Sequence, residues 1–102
     1  MIVYGLEILN SFCNKYPQAK SPIARWQKIV EENDFKHFPD LKQILPKTDY
    51  DAPYAIFDIG GTNYRLIAKV YYNHNKIIIE HVFTHEEYDK WNNSRKKGRY
   101  KT

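Results

Sequence analysis

Apolar positions along the chain change their period near residue 54, which separates a helical first half from a β-rich second half. Ile2-Val3-Tyr4 is a short β-type run suited to an edge strand. After it Leu6, Leu9, Phe12 and Tyr16 recur at helical spacing until Pro17 stops the pattern, so a first helix is expected to about Lys15. Ser21-Pro22 reads as an N-cap followed by proline at the first helical position, although a start as early as Pro17 also fits. Ile23, Trp26, Ile29 and Val30 form the apolar face of this second helix. Phe38 to Pro46 is proline-bounded and long enough for one or two helical turns, and Lys47 to Pro53 reads as a loop.

Beyond that point Tyr54-Ala55-Ile56-Phe57-Asp58-Ile59 is β-rich and runs into Gly60-Gly61-Thr62-Asn63, a turn signal. Tyr64 to Tyr72 is a second β-rich run, Asn73-His74-Asn75 a second turn, and Lys76 to Phe83 a third strand, giving an antiparallel meander. Thr84-His85-Glu86-Glu87 matches a capping box with Thr84 as N-cap, so a short C-terminal helix is expected to begin there. Helices followed by an antiparallel meander make an α+β domain.

At 102 residues the chain is read as one domain, with no room for a second lobe or a cofactor domain. No window approaches the roughly 18 apolar residues of a membrane span, and the first residues lack the pattern of a signal peptide. A cytoplasmic location without membrane attachment is the expectation. Cys13 is the only cysteine, so neither an intrachain disulfide nor a cysteine zinc cluster can form, and it reads as a small core residue. The net charge of +4 is unevenly placed: Lys90, Arg95, Lys96, Lys97, Arg99 and Lys101 lie in a stretch with no acid, which leaves the rest of the chain at −2. Long-range attraction for a phosphate backbone would therefore come from this end, with residues 95–102 as a flexible basic tail. A solvated end with no partner is the competing interpretation.

The segment Phe57-Asp58-Ile59-Gly60-Gly61-Thr62-Asn63-Tyr64-Arg65 resembles the phosphate loop of hexokinase-like sugar kinases, in which glycine amides meet phosphate oxygens. That fold needs two lobes and a much longer chain, and a glycine pair is also ordinary hairpin chemistry. Read together with Leu66-Ile67 and then Thr84-His85-Glu86-Glu87-Tyr88-Asp89-Lys90, the same segment is similar to the paired signature of HigB-type toxins in the RelE-like superfamily. Tyr16-Pro17-Gln18-Ala19-Lys20, Ala24-Arg25-Trp26 and Asp40-Leu41-Lys42 extend the resemblance over nearly the whole chain, and Thr62 lengthens the family's Gly-Gly-Asn turn by one residue. The resemblance implies a RelE-like fold, with two N-terminal helices on a small antiparallel sheet of about three to four strands and a short C-terminal helix. It also implies cleavage of mRNA on the translating ribosome, without metal or other cofactor, and inhibition by a helix-turn-helix antitoxin.

RNA cleavage of this kind needs a base for the ribose 2′-hydroxyl, cations for the phosphorane-like transition state and an acid for the leaving 5′-oxygen. Arg65 can hold two phosphate oxygens, and strand alternation puts Lys69 on its face. His85 falls in the first turn of the last helix, where backbone amides favour an anion, and imidazole is the side chain suited to proton transfer near neutrality. Tyr88, three residues on, lies on the same helical side and could stack on a base or move a proton. Lys90, Arg95, Lys96, Lys97 and Arg99 are the candidate RNA-binding cations.

Each candidate has a plainer role available. Arg65 could pair with Asp58 across the hairpin, Lys69 could be a solvated strand residue, His85 a polar helix start and Tyr88 core packing. His37, His74 and His81 read as structural, and no third ligand accompanies His81 and His85 to make a zinc site. A non-catalytic RNA- or ribosome-binding module, its affinity in the basic tail, is the alternative to an endoribonuclease; a nucleotide-binding fragment on the glycine hairpin is a third possibility.

Overall fold

The computed structural model describes residues 1–99, with side chains through Lys96. Five strands form one sheet in the order β1-β5-β4-β3-β2, where β1 is Ile2–Tyr4, β2 Thr48–Asp51, β3 Tyr54–Ile59, β4 Tyr64–Tyr71 and β5 Lys76–Thr84. The last four strands are an antiparallel meander, of which β3, β4 and β5 are the three expected. The sheet has five strands in place of the three to four anticipated, and the added one is β2. β1 joins the outside of β5 in parallel, which makes the sheet mixed. β2 occupies most of the stretch read as a loop. Only Thr48 of its four residues is buried, so no alternating apolar pattern marks it; backbone pairing with β3 makes the strand.

Helices α1 (Leu6–Lys15) and α2 (Lys20–Glu31) cover one face. Ser21 does not cap α2. A 3-10 turn at Pro17–Ala19 leads straight into the helix, and Pro22 falls in its first turn, where a missing N–H leaves no bond unmade. The core lies between these helices and the sheet: Leu9, Ile23, Trp26 and Val30 meet Val3, Phe57, Leu66, Ile77 and Ile79. Gly5 lets the β1–α1 turn lie against β5. Its φ is +93° and an added Cβ would sit 2.9 Å from the Ile79 carbonyl oxygen. A short helix, α3 (Phe38–Ile44), precedes β2.

By strand alternation Arg65, Ile67 and Lys69 of β4 point to the other face, with Tyr54, Ile56 and Asp58 of β3. Ile56 and Ile67 are buried there, outside the main core. On β5 a bulge inserts Glu80, since Ile67 pairs with His81 but Ala68 pairs with Ile79. α4 (His85–Arg99) crosses this second face. It is 15 residues long, in place of the short helix expected, because Trp91 and Arg95, four apart, both pack on Tyr54. Arg95 therefore belongs to a packed helix and not to a loose basic end; residues 100–102 lie outside the described residues.

Candidate active site

The β3–β4 hairpin and the start of α4 bring three candidates together. Gly60 and Gly61 take φ of +61° and +70°, the left-handed region that lets the turn reverse, and the Asn63 amide closes it on the Gly60 carbonyl. Just beyond, Arg65 faces Asp58 as its cross-strand partner, and its Nε lies 3.0 Å from the carboxylate. Nη1 donates to the carbonyls of Thr62 and Tyr64 at 2.9 and 3.2 Å. Thr62 thus supplies a turn carbonyl that grips the guanidinium. With Nε and Nη1 engaged internally, Nη2 is directed at His85, 3.5 Å from its Nδ1.

His85 opens α4 as its first residue. The capping box forms as anticipated: the Thr84 amide donates to the Glu87 carboxylate at 2.8 Å, and the Glu87 amide to the Thr84 hydroxyl at 3.3 Å. The amide of His85 is instead bound to the carbonyl of Asn63 at 3.1 Å. One four-residue turn therefore positions both Arg65, through the Thr62 carbonyl, and His85, through that of Asn63. The imidazole is more than half exposed, and its Nε2 is 3.5 Å from Asp89.

Tyr88 completes the group, its ring lying 5.6 Å from the Arg65 guanidinium carbon. Burial pushes its hydroxyl above the ordinary tyrosine range, against the opposing pull of the Arg65 and Arg95 charges. At neutral pH the phenol is protonated and a hydrogen-bond donor. Tyr88 is half-buried against Trp91, so its packing role is real as well.

Lys69 does share the face of Arg65, but it engages other groups: its Nζ is 3.7 Å from Glu80 and 5.7 Å from the Tyr54 ring. Arg65 and Lys69 therefore share a face but belong to two separate centres. Arg95 is also turned inward. It binds the Asp51 carboxylate and the Asn92 side chain, and lies 4.7 Å over the Trp91 ring. Lys90 and Lys96 are exposed on α4, whereas the side chains of Lys97 and Arg99 lie outside the described residues. His81 stacks on Phe83 with ring centres 5.0 Å apart and abuts Trp91, so it is a packing residue.

Asp89, Trp91 and Tyr54 were not singled out by sequence. Asp89 had a usable signal in its spacing of four from His85, which places both on one helical side. Nothing local announced Tyr54 or Trp91, whose contact depends on how α4 crosses the sheet.

A mixed sheet covered on one face by two N-terminal helices is consistent with the fold of a RelE-like toxin. Residues 19–91 match the family described as HigB toxin, RelE-like toxic component of a toxin-antitoxin system. The chain belongs to this HigB toxin family, and as a toxic component it has an antitoxin for a partner. A protein of Escherichia coli K12 named mRNA interferase toxin HigB is 32% identical over 84 residues, which cover 79% of this chain and 81% of the relative. One of Shigella flexneri named mRNA interferase HigB matches to the same extent. A third, the mRNA interferase HigB of Escherichia coli O6:H1, is 28% identical over 79 residues, or 74% and 77% of the two chains.

Proposed function

We propose that the chain is a single-domain mRNA-cleaving endoribonuclease acting in the cytoplasm. The single observation that carries this reading is the Arg65–His85 contact, in which an otherwise engaged guanidinium offers its remaining edge beside an exposed imidazole. A phosphate bound by Arg65 Nη2 would present the adjoining 2′-hydroxyl to His85. The imidazole takes that proton, the 2′-oxygen attacks phosphorus, and Arg65 stabilises the extra negative charge of the five-coordinate state. The bond to the 5′-oxygen breaks as that oxygen takes the Tyr88 proton, leaving a 2′,3′-cyclic phosphate and a 5′-hydroxyl. Arg65 beside the ring stabilises the tyrosinate until a proton returns. Base, cation and acid are all side chains, so the reaction draws on no metal or cofactor.

Lys69 serves the same face from a distance, and Lys90, Lys96, Lys97, Arg99 and, through the packing of α4, Arg95 hold the RNA backbone. The names of the relatives support mRNA as the substrate. The translating ribosome as the setting and a helix-turn-helix antitoxin as the inhibitor follow from the family resemblance.

The test is induced expression in a bacterial host of wild type, Arg65→Ala and His85→Ala at matched protein levels, with growth and mRNA 5′ ends as readouts. Growth arrest with new mRNA ends is expected in the wild type alone, each variant losing at least about 100-fold in cleavage, the scale of a removed acid-base or charge-stabilising group. Arrest that persists in both variants would move the function to non-catalytic binding. No arrest and no new ends in the wild type would overturn the nuclease reading.

A further inference from the structure

His85 has a charged side chain 3.5 Å from each ring nitrogen, and the two favour the same placement of the proton. A guanidinium has no lone pair, so Arg65 Nη2, 3.5 Å away, can bond to Nδ1 only if that nitrogen carries no hydrogen. On the other side, Asp89 Oδ2 lies 3.5 Å from Nε2, and an ionised carboxylate only accepts. One neutral form satisfies both contacts, with the proton on Nε2 and the lone pair on Nδ1. The opposite tautomer would aim an N–H at a cation and a lone pair at an anion.

We infer that Asp89 is a positioning residue: it holds the imidazole in the Nε2–H tautomer with Nδ1 turned toward Arg65. This rests on the RNA-cleaving reading, and it names Nδ1 as the atom that takes the 2′-hydroxyl proton beside the cation that binds the phosphate. When Nδ1 is protonated during the reaction, the ring becomes a cation facing the Arg65 guanidinium. Asp89, 3.5 Å from the far nitrogen, is then its counter-charge, while Asp58 performs the same service for Arg65 at 3.0 Å. The result is an Asp58–Arg65–His85–Asp89 chain with a carboxylate at each end and the two nitrogen groups between them, anchored on β3, β4 and α4.

A plainer role for Asp89 is that of a helix-surface pair. Its side chain and that of His85 are 56% and 57% exposed and four residues apart, a setting in which ion pairs add little to stability. The same exposure means Asp89→Ala should fold, so its effect on His85 can be read directly.

The experiment records imidazole 15N resonances of His85 in wild type, Asp89→Ala and Asp89→Asn, alongside cleavage rates on mRNA-programmed ribosomes. In the wild type Nδ1 should resonate as a non-protonated and Nε2 as a protonated nitrogen. Asp89→Ala should move both toward tautomer-averaged positions and lower kcat roughly 10- to 100-fold, the usual effect of losing an orienting partner, with KM little changed. In Asp89→Asn the amide oxygen can still accept from Nε2–H, so the tautomer should be retained while kcat stays reduced, because the counter-charge is gone. Unchanged resonances and unchanged kcat in Asp89→Ala would reduce the pair to a surface contact and overturn the inference. A tautomer shift in Asp89→Ala from a wild type that cuts no RNA would support the hold on the ring and overturn the cleavage reading instead.

Discussion

Arg65 answers to both of its interpretations at once. It pairs with Asp58, and that pairing is what leaves one edge of the guanidinium free to face His85. Functional and structural roles were posed as alternatives because a sequence cannot show that one side chain uses different nitrogens for each. Tyr88 behaves likewise, packed on Trp91 while lying beside Arg65. Its raised titration point makes a testable demand on alkaline stability. An unfolded tyrosine loses its proton near the ordinary value of about 10, whereas the folded Tyr88, kept neutral by burial, does so only at higher pH. Its contribution to stability is therefore fully present below the unfolded value and lost as pH rises through the folded one. In urea melts at successive pH values, wild type should lose more stability than Tyr88→Phe above about pH 10. Parallel curves for the two would show that Tyr88 is not neutralised by its surroundings.

At the level of elements, the capping box has a double task. Thr84 and Glu87 satisfy amides at the start of α4, and the same residues fix where His85 begins the helix. Thr84→Ala should lower stability by about 1 kcal/mol, the ordinary value of a side-chain N-cap, and should reduce cleavage by more than this loss alone would explain. Equilibrium unfolding and single-turnover cleavage on the same sample separate the two effects. Full activity in a destabilised Thr84→Ala would mean that the Asn63 carbonyl alone aligns His85. Thr62 shows the opposite kind of element effect. A residue of the glycine turn lends its backbone carbonyl to Arg65.

Across the whole molecule, α4 turns the sheet into the middle of a three-layer arrangement. It joins the Arg65 centre to a second cluster of Lys69, Arg95, Tyr54 and Trp91. This separates the basic C-terminal residues into two kinds. Arg95 is largely buried and packed over the Tyr54 and Trp91 rings, so Arg95→Ala should cost about 1–3 kcal/mol through the packing and ring contacts that its side chain gives up. Lys90 and Lys96 are exposed, so replacing both with alanine should move stability by less than about 0.5 kcal/mol each. The same double variant should weaken RNA binding and flatten its salt dependence by roughly two phosphate contacts. Urea melts and a binding titration over salt concentration test both halves. An Arg95→Ala variant as stable as wild type, or a Lys90 and Lys96 double variant with the wild-type salt slope, would contradict this division. Among the described residues no helix is long and apolar enough to cross a membrane.

What the sequence determined by itself was whatever depends on near neighbours. The helical spacing of Leu6, Leu9 and Phe12, the glycine turn, the strands either side of it and the Thr84 capping box all follow from contacts within a few residues. Face assignments followed too, so Arg65 and Lys69 were correctly put on one side of β4. The family was legible because its two motif blocks lie near the ends of that local structure. Tertiary structure decided what depends on partners far along the chain. β2 exists through pairing with β3, β1 takes its place and parallel direction from β5, and the length of α4 comes from Trp91 and Arg95 meeting Tyr54. It also parted Lys69 from Arg65, since Glu80, inserted by the bulge on β5, binds the lysine. Asp89 had a spacing but no stated purpose until the fold placed Arg65 on the opposite side of the His85 ring. Local periodicity specifies which way a side chain points, while its charge partners are set by strands and helices that meet only after folding.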